Sequence, residues 1–124
     1  MSKIMINGNV FSSNDKEYIK DIKAIKKDNT ITYSKDGTKV KIQLLDNKVL
    51  LERENDNMKL NLEFEESKKL VSKYVIKDLN LNIKIETKTN RLIIDKNMIK
   101  AQYDLFMNGE FSDNFIFELE WSEL

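Results

Sequence analysis

The chain contains neither histidine nor cysteine, so any chemistry must come from carboxylates, amines, hydroxyls or guanidinium groups. Carboxylates spaced i and i+2 recur as Glu52 and Glu54, Glu63 and Glu65, and Glu118 and Glu120. On a strand such pairs share one face, a geometry that could serve as acid and base. All three pairs, however, fall on the parity opposite to the neighbouring apolar residues. That marks them as solvated outer-face charges facing cross-strand lysines. Groups with tuned pKa values cluster in clefts rather than on wet faces, so no catalytic residue is assigned. Zinc would find no imidazole or thiolate, no EF-hand-like loop of spaced oxygens occurs, and a nucleophilic triad would lack its usual base. No enzyme activity, metal or cofactor is expected.

Arg53 has the other parity. It shares a strand face with Val49 and Leu51, which carries its guanidinium toward the interior or its rim. A guanidinium there is met by a protein carboxylate, by carbonyls, or by the acidic head of a ligand held bidentately. The alternative is that it caps the open end and snorkels to water. Lys20 occupies the same sort of position if its segment is a strand. Tyr33, Tyr74, Tyr103 and Thr87 also fall on apolar parity and would supply hydroxyls inside an apolar lumen, either as core residues reaching the barrel end or as ligand contacts. With Arg53 they outline an amphipathic pocket of apolar walls and a few converging polar groups.

The elements that must position these residues are short strands. Leu79-Leu81-Ile83-Ile85-Thr87 and Phe115-Phe117-Leu119-Trp121 alternate cleanly, as do Val40-Ile42-Leu44, Leu60-Leu62-Phe64 and Ile99-Ala101-Tyr103-Leu105-Met107. Turn signals separate them about every ten residues. Asn108-Gly109 and Asp36-Gly37 favour type I′ hairpins. Weaker turns are expected at Asp46-Asn47, Asn55-Asp56-Asn57, Glu66-Ser67, Lys77-Asp78, Thr89-Asn90 and Lys96-Asn97. Connections this short hold no crossover helix, so consecutive strands pair antiparallel as a meander. No amphipathic helix in the C-terminal hundred residues covers the apolar face. The sheet must therefore close on itself, and an up-and-down barrel of about 8–10 strands, residues 1–124 as a single domain, is the expected architecture. Such a barrel is just wide enough to be filled by side chains or to hold one small ligand. Phe111, Phe115, Phe117 and Trp121 are candidate plugs, with Trp121 closing one end.

Residues 16–27 fit less well. Tyr18, Ile22 and Ile25 with Ile19 follow a helical face, and Asn14-Asp15 could cap it. The strand alternative places Tyr18, Ile22 and Ala24 together with Lys20 intruding.

The run from Tyr74 to Thr87, followed by Tyr103-Asp104-Leu105-Phe106-Met107-Asn108-Gly109, resembles the C-terminal half of the YwiB-like family of small bacterial proteins. The likeness extends upstream through Arg53, after Val49 and Leu51, and through Tyr33. That family, functionally uncharacterised, is grouped with the calycin-like barrels, the class of lipocalins and fatty-acid-binding proteins. The resemblance implies a calycin-type all-β barrel in which residues 17–27 form a strand. Ile76, Lys77 and Leu79 replace the family's usual Thr, Pro and Gly after Tyr74, and Ser34 replaces the acidic residue expected beside Tyr33.

Composition bounds the partners. Lys and Arg together number 21 and so do Asp and Glu, so net electrostatics draws the molecule to neither nucleic acid nor anionic lipid. Single-stranded nucleic acid on the Lys-rich stretch 16–48, with Tyr18 and Tyr33 as stacking platforms, is thereby disfavoured. The first eight residues lack an apolar run long enough for a signal peptide or membrane span, and a cytoplasmic location is expected. Two partner classes remain. One is a small amphipathic molecule inside the barrel. The other is a protein, including a second copy of the chain, docking on Phe106, Leu45, Leu50 and Ile116, which interrupt the outer polarity.

Overall fold

Left-handed backbone at Asp36 and Gly37 (φ 50° and 78°) and at Asn108 and Gly109 (φ 51° and 84°) makes two tight reversals, as the Asp-Gly and Asn-Gly chemistry demands. The computed structural model describes residues 1–124. It contains ten strands and no helix: β1 (Ser2–Ser12), β2 (Lys16–Lys27), β3 (Thr30–Lys35), β4 (Thr38–Leu44), β5 (Lys48–Glu54), β6 (Met58–Glu65), β7 (Lys69–Ile76), β8 (Leu81–Ile94), β9 (Met98–Met107) and β10 (Glu110–Glu123). Each pairs antiparallel with its sequence neighbours and β1 closes on β10. The expected up-and-down barrel is therefore the fold observed, and Leu79 lies in the β7–β8 turn rather than opening β8.

Residues 16–27 form a strand, as the family resemblance implies and against the local helical pattern. The reason is a bulge. Ile6 pairs with Ile22 but Gly8 with Ile19, so β2 carries one extra residue there. Asp21 takes it up at φ 50°, and its N–H donates to Asn7 Oδ1 at 2.9 Å. The inward set thus changes phase, from Glu17 and Ile19 to Ile22 and Ala24. The resulting step of three imitates a helical repeat, and Lys20 is left exposed on the outside. Thr89-Asn90 is likewise a bulge inside β8 rather than a turn, because Thr89 pairs with Tyr103 and Arg91 with Gln102. A third bulge, between Phe111 and Asp113, lies near the start of β10.

Two seams interrupt the ladder. β2 and β3 share only the pairs Ile25–Thr32, Lys26–Ile31 and Lys27–Thr30. β6 and β7 share only Met58–Ile76, Lys59–Val75 and Leu60–Tyr74. Beyond the second seam β6 faces β8 directly: Thr87 Oγ1 donates to the Glu63 carbonyl, Ser67 N–H to the Thr89 carbonyl, and Leu92 N–H to Glu66 Oε1.

In a closed meander the hairpins alternate between the two ends. The β1–β2, β3–β4, β5–β6, β7–β8 and β9–β10 turns ring one end, and the chain termini lie at the other. The terminal half is solid: Ile4, Ile6, Ile31, Ile42, Val49, Phe64, Ile99 and Leu119 are almost fully buried, and Trp121 closes that half. Each such burial contributes about 1.5–3 kcal/mol. Outside, Glu52, Glu63 and Glu118 meet lysines of adjacent strands, Lys59 (3.6 Å), Lys48 (3.2 Å) and Lys100 (3.2 Å), whereas Glu54 meets Lys77 (2.9 Å) and Glu65 meets Lys68, both in connections between strands, and Glu120 pairs with no lysine.

Candidate functional site

Register assembles the site from residues far apart in sequence. Tyr33 pairs with Val40, Val40 with Arg53, Arg53 with Leu60, Leu60 with Tyr74 and Tyr74 with Ile83. Strand partners share a face, so these residues form one inward belt from β3 to β8. Glu17 reaches the same level from β2. Below the belt, Tyr103 packs on Phe64 with ring centroids 4.6 Å apart and stacks against Phe115 at 5.3 Å.

The belt encloses a cavity of about 420 Å³ at the hairpin end of the barrel. Fifteen of the twenty residues lining it are hydrophobic, so its walls are apolar and its few polar groups stand out. This volume lies within the range of small-molecule sites, roughly 300–1,000 Å³. Arg53, Tyr33, Tyr74 and Tyr103 all line it, together with Glu17, Lys35, Asp36 and Thr38 at the mouth. Thr87 does not. It is fully buried and its hydroxyl is spent on the Glu63 carbonyl. Phe115 and Phe117 form cavity wall, whereas Phe111 is 60% exposed and plugs nothing.

Electrostatics at the mouth centres on Arg53. Its one ionic contact is Glu17, with Nη1 3.9 Å from Oε2, beyond hydrogen-bond range. Lys35 stands on the other side of Glu17 at 3.5 Å, and its ammonium donates to the Tyr18 carbonyl at 2.7 Å across the β2–β3 seam. The guanidinium donors are consequently unspent. So are the hydroxyls of Tyr33, Tyr74 and Tyr103, which make no hydrogen bond within the protein and are open to the cavity. Burial pushes the Tyr33 phenol up to about 12, against the lowering influence of Arg53. It pushes Tyr103 higher still, again opposed by Arg53. Both phenols are therefore neutral donors at ordinary pH, within the field of the one guanidinium.

Sequence parity singled out Arg53 and the three tyrosines but missed Glu17 and Lys35. For Glu17 the missing signal was the Asp21 bulge, whereas Lys35 shares the parity of Ile31 and Tyr33 on β3 and was legible there. Only a change of phase between Ile19 and Ile22 puts Glu17 on the inside.

The outer hydrophobics form no single patch. Leu45 and Leu50 lie at β4–β5, and Phe106 and Ile116 lie on β9–β10 across the barrel. Phe106 packs edge-on against Phe111 at 5.9 Å, with the Lys69 ammonium 4.0 Å above its ring.

A domain of unknown function, DUF1934, matches residues 4–119. Among solved structures, the YwiB protein of Bacillus subtilis aligns with a TM-score of 0.58, covering 97% of this chain and 90% of that one at 15% identity. At that identity the likeness speaks to the fold alone. No curated protein matches the chain.

Proposed function

We propose that in this chain, which belongs to the DUF1934 family, the barrel binds a small amphipathic molecule, its acidic head at Arg53 and its apolar part inside. One observation carries this reading: an apolar cavity whose polar groups, a guanidinium and three phenols, have donors left unspent by the protein. These donors are open to the cavity rather than sealed in the core, so an entering acidic head can take them without displacing a partner within the protein. Tyr33 and Tyr103, both within the field of Arg53, are neutral donors lining the cavity, and the Phe64–Tyr103–Phe115 stack limits how deep a tail can run.

Native mass spectrometry of the purified protein, with organic extraction, tests the reading together with thermal titrations against octanoate, dodecanoate and hexadecanoate. A co-purified amphiphile, or a saturable rise in Tm, is expected. Ligand at a hundred times Kd adds about 2.7 kcal/mol to the folded state. A clean apo mass with no thermal shift for any of the three acids would refute it, and the outer surface would become the working face.

A further inference from the structure

Glu17 is the one carboxylate in contact with Arg53, and its position is built rather than incidental. The left-handed residue Asp21, tied to Asn7 Oδ1, sets the phase of β2 that turns Glu17 inward. Its carboxylate lies between Lys35 at 3.5 Å and Arg53 at 3.9 Å. At the second distance it neutralises the guanidinium without occupying its N–H groups. An incoming carboxylate can therefore take those donors bidentately, while Glu17 keeps its pairing with Lys35. The mouth also holds Asp36, so its charges are balanced as it stands. A monocarboxylate leaves the mouth with one net negative charge, offset by the charge-assisted hydrogen bonds it takes from Arg53. A phosphate monoester, carrying about −1.5 to −2 at pH 7, sets its second charge against Glu17 and Asp36 with no free cation to meet it.

We infer that Glu17 is the specificity-determining residue of the cavity, a resident counter-ion that yields Arg53 to a monocarboxylate head and turns away dianionic heads. The inference rests on the cavity reading above.

Isothermal titration of the full chain and of Glu17→Gln with dodecanoate, dodecyl phosphate and dodecanol tests it. The wild-type protein is expected to bind dodecanoate about fivefold tighter than dodecyl phosphate, the upper range for partly exposed charge pairs. Glu17→Gln removes the repelling charge and tightens dodecyl phosphate by about fivefold, dodecanoate less, and leaves dodecanol unchanged. Glu17→Asp keeps the charge and retains the wild-type preference. Equal wild-type affinity for the two anions, or a common shift of all three probes in Glu17→Gln, would overturn the role of Glu17 and leave the cavity reading standing. Failure of every probe to bind either protein would overturn both.

Discussion

Replacing Arg53 with Met removes the guanidinium while keeping most of an apolar stem between Val40 and Leu60, its cross-strand neighbours. The fold tolerates the change, because the lost ion pair spans 3.9 Å between side chains that are 34% and 38% exposed. Such pairs contribute about 0–1 kcal/mol. Binding is affected more. A charge-assisted hydrogen bond is worth about 1.5–3 kcal/mol, and the exposure of the site trims this toward about 1.4 kcal/mol, a tenfold loss of affinity. Titration calorimetry with dodecanoate is expected to show that loss, and dodecanol, which cannot use the charge, less than a twofold change. Equal affinity of wild type and Arg53→Met for dodecanoate would refute the assignment of the head group to Arg53. An equal loss for dodecanol would mean that the variant had altered the cavity walls instead.

Alkaline stability reports on the buried phenols. With the Tyr33 phenol pushed up to about 12, the folded chain retains a proton that the unfolded chain releases near 10. Its contribution is intact below about pH 10 and is lost as pH rises through about 12, at up to roughly 1.4 kcal/mol per pH unit. Tyr33→Phe should flatten the decline of urea stability across that window by this amount, and an unchanged slope contradicts the burial argument. Gly8→Ala should be severe, because a Cβ there would stand 2.1 Å from the Glu118 carbonyl oxygen, a backbone atom that cannot swing aside. About 3 kcal/mol is expected from the urea midpoint. Thr87→Val leaves the Glu63 carbonyl without its side-chain donor, costing about 1 kcal/mol in the same assay. Dodecanoate affinity should be unchanged, which separates Thr87 from the tyrosines of the cavity.

Strand parity and turn chemistry, both local, were legible in the chain itself. Alternation at Val40–Leu44, Leu60–Phe64 and Ile99–Met107 assigns inside and outside wherever the period of two holds, and Asp36-Gly37 and Asn108-Gly109 mark their hairpins. Short connections then dictate a meander, and an uncovered apolar face dictates closure. Those two steps suffice to place Arg53, Tyr33, Tyr74 and Tyr103 on the inner surface. Tertiary structure decided what a one-dimensional pattern cannot carry. A bulge changes the phase of every residue beyond it, and nothing short of pairing β2 against Gly8 of β1 reveals that Asp21 is the extra residue. For that reason Glu17 and Lys20 exchange the faces that simple inspection gives them, and Thr89-Asn90 passes for a turn. The cavity is likewise a property of register around a closed ring. Residues 33, 53 and 74 converge because the ladder pairs carry one belt around the lumen, with Tyr103 entering from β9 below it, and Thr87 drops out because the β6–β7 seam offers its hydroxyl the Glu63 carbonyl.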